Sequence, residues 1–141
     1  MVTVPLYSIY DFALHSGTEH NNPFRVPLTA TFEHASGAKI ECVPGFYNGD
    51  DEFVIRFSPT LEGQWRGKTE SDDPALSGIW LEPITVTPKV VPRAHGVVGI
   101  DPAHPHRFSW EDGTPFLYLG FECDWLFAYH QKDPAQCERH V

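Results

Sequence analysis

At 141 residues and a net charge of −9, from 10 basic and 19 acidic side chains, the chain has room for one domain plus a fragment but is too short for a complete (β/α)8 barrel. An acidic chain with no Lys/Arg cluster repels a phosphate backbone, which argues against nucleic acid as a partner, and no run approaches the roughly 20 apolar residues of a membrane helix. Thirteen prolines and eleven glycines interrupt the chain too often for long helices and favour short strands and turns.

From Leu6 to Leu14, the residues Leu6, Tyr7, Ile9, Tyr10, Phe12 and Leu14 read as an opening strand, followed by a polar loop over 15–23. Val26, Leu28, Ala30 and Phe32 alternate with Pro27, Thr29, Thr31 and Glu33, the period of a strand with one buried face. After the Ser36-Gly37 turn, Ile40, Cys42 and Val43 lead to Phe46-Tyr47. Asn48-Gly49-Asp50 then marks a hairpin, because Asn and Gly tolerate the positive φ of tight turns.

Phe53 to Phe57 is the next strand, and Gln64 to Thr69 another; a polar loop covers 70–78. Ile79 to Val86 is a further strand in which Pro83 predicts an edge position or a bulge. Roughly seven short strands at regular spacing, with no helical period before residue 120, predict an all-β antiparallel sandwich. After Pro88, the residues Pro92, Pro102, Pro105, Gly96 and Gly99 read as a stiff linker holding short strands. Phe116 to Phe121 is apolar on both alternating faces, as in a strand of a parallel sheet buried on both sides. At Asp133-Pro134-Ala135-Gln136 an N-cap aspartate, a proline at the first helical position and a Gln at the third start a helix.

These elements give three expected parts: a β-sandwich over 1–88, a linker with short strands over 89–114, and over 115–141 the truncated first βα unit of a (β/α)8 barrel. Cys42, Cys123 and Cys137 are odd in number and widely spaced, which suits reduced thiols better than disulfides or zinc. Residues 1–14 lack a basic segment followed by an apolar one, so a cytoplasmic location is expected unless a signal peptide has been removed.

The order of the landmarks is more specific than any of them alone: Asn22-Pro23-Phe24, then Val43-Pro44-Gly45-Phe46-Tyr47-Asn48-Gly49, Val54-Ile55-Arg56-Phe57-Ser58-Pro59, Glu62-Gly63-Gln64-Trp65, His95-Gly96 and Asp112-Gly113-Thr114-Pro115-Phe116. Over residues 6–121 this resembles the N-terminal domain of unknown function that precedes the (β/α)8 barrel of glycoside hydrolases, including relatives of apiosidases. The resemblance implies an immunoglobulin-like or fibronectin-like sandwich leaning on a barrel whose first strand is Phe116 to Gly120. Where such relatives follow the Leu-Gly pair with small or hydroxylated residues, this chain has Phe121-Glu122-Cys123-Asp124-Trp125.

Glycosidases need two carboxyl groups about 5 to 9.5 Å apart, carried in barrel enzymes at the C-terminal ends of several strands. One barrel strand cannot supply both, so no catalytic residue is assigned. Glu122 and Asp124 fall just past that strand and are candidate substrate contacts. Sugar-binding sandwiches also use exposed aromatic rings, against which the apolar face of a pyranose stacks. Of Tyr47, Trp65, Trp80 and Trp110, Trp65 reads as core, and Trp80, beside the proline-broken strand, is the first choice for a platform, with Tyr47 second.

His104, His106, His95 and Asp101 sit in a proline-rich loop without the rigid convergence a metal site needs, so neither metal nor cofactor is expected. Acidic neighbours Glu122 and Asp124 would raise the Cys123 thiol rather than activate it. Expected partners are the missing catalytic barrel of the same polypeptide and an oligo- or polysaccharide, with self-association through 115–127 if the apolar stretch stays uncovered. A stand-alone immunoglobulin-like carbohydrate-binding or adhesion module is the alternative.

Overall fold

A computed structural model describes residues 2–120, 122 and 124–139. Seven strands, β1 (Val2–Pro5), β2 (Tyr10–His15), β3 (Leu28–His34), β4 (Lys39–Gly49), β5 (Glu52–Phe57), β6 (Gly63–Ser71) and β7 (Ile84–Thr87), form one ribbon in the order β1-β7-β6-β3-β4-β5-β2. All neighbours are antiparallel except β1 and β7.

The ribbon folds over itself inside β4. Its first half pairs with β3, where Ala30 faces Val43 and Phe32 faces Ile40, leaving Glu41 and Cys42 together opposite Thr31. Such a bulge bends a strand sharply, and Cys42 takes a φ of 56° to make it. The second half of β4 pairs instead with β5. Phe32 of β3 consequently stacks on Phe57 of β5, two strands away, with ring centroids 3.7 Å apart and planes within 5°. Phe12 of β2 lies 5.6 Å from Phe32, and Trp65 of β6 lies 5.4 Å from Phe57, so one aromatic row joins the two layers.

Alternation along β6 explains which side chains enter this core. Trp65, Gly67 and Thr69 point in, while Gln64, Arg66, Lys68 and Glu70 point out. Gly67 is required by packing, since a Cβ there would lie 2.6 Å from the Phe32 ring and 3.0 Å from Leu81. The loop after β6, read from sequence as polar throughout, also drops Leu76 fully into the core. Thr69 holds that loop, its hydroxyl donating to the Leu76 carbonyl at 2.6 Å and accepting from the Ile79 N–H at 3.0 Å.

Several sequence expectations are adjusted by the structure. The run from Leu6 to Leu14 is a corner and a strand: β1 joins one layer, Tyr7 turns with a φ of 62°, and β2 joins the other. In the β4–β5 hairpin the left-handed positions are Gly49, Asp50 and Asp51, with φ of 99°, 47° and 62°, while Asn48 bonds Glu52 at 2.7 Å across the strands. Pro83 marks a bulge rather than an edge, since Trp80 to Ile84 takes four steps where Lys68 to Trp65 of β6 takes three. It falls between the isolated Lys68–Trp80 bridge and β7, which is an interior strand flanked by β1 and β6.

Beyond the sandwich, β8 (Val98–Ile100), β9 (Phe108–Trp110) and β10 (Pro115–Phe116) form a small antiparallel sheet in the order β10-β9-β8. Strand character ends at Phe116, where the sequence predicts a doubly buried strand to Phe121, and the pairing is antiparallel to β9. Leu117, Tyr118 and Leu119 have no strand beside them and stand 79 to 90% exposed; Phe121 lies outside the described residues. The helix expected at Asp133 is present as α2 (Pro134–Glu138), its cap oxygen accepting from Gln136 N–H at 3.0 Å. A helix the sequence reading did not anticipate, α1 (Leu126–Lys132), precedes it. Among the described residues no helix is long and apolar enough to cross a membrane.

Because Gly67 lies against Phe32 at the centre of the aromatic row, Gly67→Ala is expected to destabilise the fold by about 1–3 kcal/mol, read as a lowered urea midpoint at unchanged slope. A variant as stable as the parent would mean that Phe32 moves freely.

Candidate functional site

The outward residues of β6 build the most differentiated surface of the sandwich. Trp80 is held beside β6 by its bridge to Lys68 and is 60% exposed. The Lys68 ammonium lies 5.4 Å, and the Arg66 guanidinium 5.7 Å, from its ring centroid. These are cation–π distances, and they fix the indole against the strand. Arg66 also donates to Glu33 of β3 at 2.8 and 3.2 Å, and these hydrogen bonds hold the Glu33 carboxyl below its usual range. Gln64 completes the row by donating to Thr85 of β7 at 2.7 Å.

This face adjoins a groove of about 460 Å³ lined by Glu33, His34, Gln64, Arg66 and Pro83, with Arg66 shared between groove and indole. His34 closes its end. One ring nitrogen, Nε2, donates to the Glu62 carbonyl at 2.9 Å, while Nδ1 accepts from the Ser36 N–H at 3.1 Å. A flat aromatic ring, an Arg–carboxylate pair and an amide on a rigid sheet can stack an apolar ring and bond its polar rim.

The other candidates named from sequence do not join this face. Tyr47 sits in the second half of β4, in the other layer, with Phe24 edge-on at 5.3 Å and Phe53 at 5.2 Å. Its hydroxyl accepts from Asp51 N–H at 3.4 Å, so the ring is half-buried and engaged. Phe24, not singled out from sequence, is the exposed ring there. Glu122 and Asp124 are exposed in the segment before α1. Trp65 is core, its indole N–H donating to the Leu61 carbonyl at 2.9 Å. Trp110 is half-buried between His95 and Phe116.

His104 and Asp101 pair at 3.0 Å, and His95 pairs with Asp112 at 2.8 Å. Among the described residues no group of three or more His, Cys, Asp or Glu is placed to hold a metal. Cys42 is exposed and Cys137 buried, both as free thiols, and Cys123 lies outside the described residues.

Two carboxylate clusters went unread in the sequence because their members are far apart along the chain. Asp73, with its side chain buried, accepts from Ser16 Oγ at 2.5 Å, from the Ala75 N–H at 2.8 Å and from His20 Nε2 at 3.0 Å. The serine hydroxyl donates to the carboxylate, and the same His20 nitrogen faces both partners, so no proton can pass from serine to histidine as nucleophilic catalysis requires. The cluster is a clamp between the 15–25 and 71–77 loops. Ser16 contributes most to holding the Asp73 carboxyl below its usual range.

Asp112 forms the second cluster with His95, with Lys89 at 3.1 Å and with the Thr114 N–H at 3.0 Å; the His95 bond is the largest cause of its strongly lowered pKa. Beside it, Gly96 has a φ of 81°, and a Cβ there would lie 2.6 Å from Glu111 and 3.0 Å from the Tyr7 ring. Burial at this seam, followed by the charges of Glu111 and Asp112, raises the Tyr7 phenol. The sandwich corner and the small sheet therefore meet at Tyr7.

Residues 3–72 match the family model of a domain of unknown function, DUF5060. The fold also matches a crystal structure described as a putative glycoside hydrolase from Bacteroides vulgatus, at 31% identity and a TM-score of 0.75 over 96% of this chain. The chain spans about a quarter of that protein's length, 25%. The Lin-41 filamin domain aligns at 12% identity and a TM-score of 0.41, over 60% of this chain and 82% of its own. No curated protein matches the chain. The chain is thus mostly β, with a DUF5060 segment and a glycoside-hydrolase-like structural neighbour.

The Asp73 clamp sets a pH dependence. Its carboxyl is lowered from 3.8 on folding, so its contribution to stability is complete above that unfolded value and is lost as pH falls through the lower folded one. Asp73→Asn is expected to cost about 1 kcal/mol at pH 7 and to flatten the fall in melting temperature below pH 4. Thermal melts from pH 2 to 7 measure both, and parallel curves for the two proteins would dismiss the clamp.

Proposed function

We propose that this chain is the non-catalytic accessory β-sandwich, immunoglobulin-like in type, of a carbohydrate-active protein related to the glycoside hydrolase it matches, and that it stands N-terminal to a catalytic (β/α)8 barrel. The observation that carries this is the match itself: nearly all of this chain aligns, at 31% identity, with only a quarter of the other protein. The remaining three quarters of such a protein have room for the barrel and its paired carboxylates. The reading extends to relatives of apiosidases, which the order of sequence landmarks resembles.

On this reading residues 1–88 are the sandwich, 89–114 connect, and 115–141 begin the barrel. The exposed apolar side chains support it. Val98, Ile100, Phe108, Leu117, Leu119, Trp125 and Phe127 are all exposed, Leu119 at 90% and Phe127 at 87%, which is more large apolar side chain than a surface ordinarily leaves in water. Neighbouring barrel strands and helices of the same polypeptide would cover them, and Phe116 to Gly120 would gain the pairing it lacks here. Glu122 and Asp124 would then lie at the catalytic rim as substrate contacts, while Trp80 contacts carbohydrate from the sandwich side.

The isolated chain is expected to hydrolyse no aryl glycoside or plant oligosaccharide. Turnover that disappears in Glu122→Gln or Asp124→Asn would overturn the accessory role. Deleting 115–141 is expected to leave a folded and more monomeric sandwich, read by light scattering and thermal melting. An unfolded product would instead place the tail within the sandwich core.

A further inference from the structure

We propose that the Trp80 face selects a carbohydrate carrying a single carboxylate, a uronate unit within an otherwise neutral oligosaccharide, with Lys68 as the residue that reads the charge. The inference rests on the carbohydrate reading above and deepens it.

The two cations at the indole differ in their commitments. Arg66 gives two hydrogen bonds to Glu33 and is already neutralised. Lys68, among the described residues, has no carboxylate within ion-pair distance; its ammonium lies over the Trp80 ring, 5.4 Å from the centroid. A pyranose stacked on an indole turns its C–H face to the ring and carries its exocyclic group at the rim. An exocyclic carboxylate there meets the ammonium in a charge-assisted hydrogen bond, whereas a neutral hydroxymethyl group forms only an ordinary one.

The surroundings limit the charge to one. Glu70 is the next outward position along β6, and the whole chain carries −9. A polymer with an anion on every unit would set its further charges against Glu70 and that net charge. Neutral neighbouring sugars fit the adjoining groove, where the Glu33–Arg66 pair and Gln64 can bond hydroxyls and the volume of about 460 Å³ accommodates one or two rings.

Tryptophan fluorescence and calorimetric titrations of the intact chain with three probes test this: a xylo-oligosaccharide bearing one glucuronate, the same compound with its carboxyl reduced to the alcohol, and trigalacturonate. The expected result is at least tenfold tighter binding of the singly charged probe than of either other, reduced to parity with the neutral probe in Lys68→Gln, restored in Lys68→Arg, and lost in Trp80→Ala. Both positions are exposed, and unchanged melting temperatures verify the fold. Equal binding of charged and reduced probes, lost in Trp80→Ala, overturns the charge selection while leaving the carbohydrate face standing. Tightest binding of trigalacturonate overturns the single-charge limit. Absence of binding, or binding indifferent to Trp80→Ala, overturns both the selection and the face.

Discussion

A seven-stranded ribbon with one apolar face cannot hide that face unless the ribbon folds over, and here the fold is made inside β4, where two residues oppose one across the pair with β3. Only after that bend can Phe32 and Phe57, from strands that are not neighbours, stack face to face. Trp65 and Phe12 close on the same pair, so the bulge and the aromatic row are two sides of one constraint. Gly67 follows from it, because a ring packed flat against β6 leaves no room for a side chain at that position. The outer face of β6 follows as well: with Trp65, Gly67 and Thr69 committed inward, Gln64, Arg66 and Lys68 must point to solvent, and Trp80 is held where it meets them.

The loops are anchored by polar side chains that are distant in sequence. Thr69 fixes the loop carrying Leu76, and Asp73 ties that same loop to Ser16 and His20. Each anchor leaves no buried side-chain polar atom without a partner among the described residues. This arrangement stabilises most when the carboxylate is ionised, in keeping with a chain in which acids outnumber bases.

What could be read from sequence divides along the same physical line. Period-2 alternation located β3, and the Asp133-Pro134 cap located α2, since both signals are local. Trp65 as core and Trp80 beside solvent followed from their flanking residues. The layer switch between β1 and β2 was not legible, because a run apolar on both faces looks alike whether it continues or turns, and the turn at Tyr7 needs a positive φ that no glycine announces. Nor was the pairing of His20 with Asp73, which only the assembled loops bring together. The tail is a related case. Phe116 to Gly120 has the composition of a doubly buried strand, but a strand exists only where a neighbour supplies hydrogen bonds, and past Phe116 none does.

Two regions of the molecule therefore present different chemistries. The face around Trp80 is complete as it stands: its cations, amide and carboxylate are oriented by one another on a rigid sheet, and nothing more is needed to form it. The stretch from Val98 to Phe127 leaves large apolar side chains such as Leu119 and Phe127 in water, where they gain nothing. At the Tyr7 seam, Gly96 lets the small sheet approach the sandwich corner closely and the Lys89–His95–Asp112 cluster holds the crossing chain. A seam fixed in this way sets the small sheet at one orientation to the sandwich corner, because the close approach at Gly96 and the bonds of Asp112 to Lys89 and His95 constrain the same crossing chain.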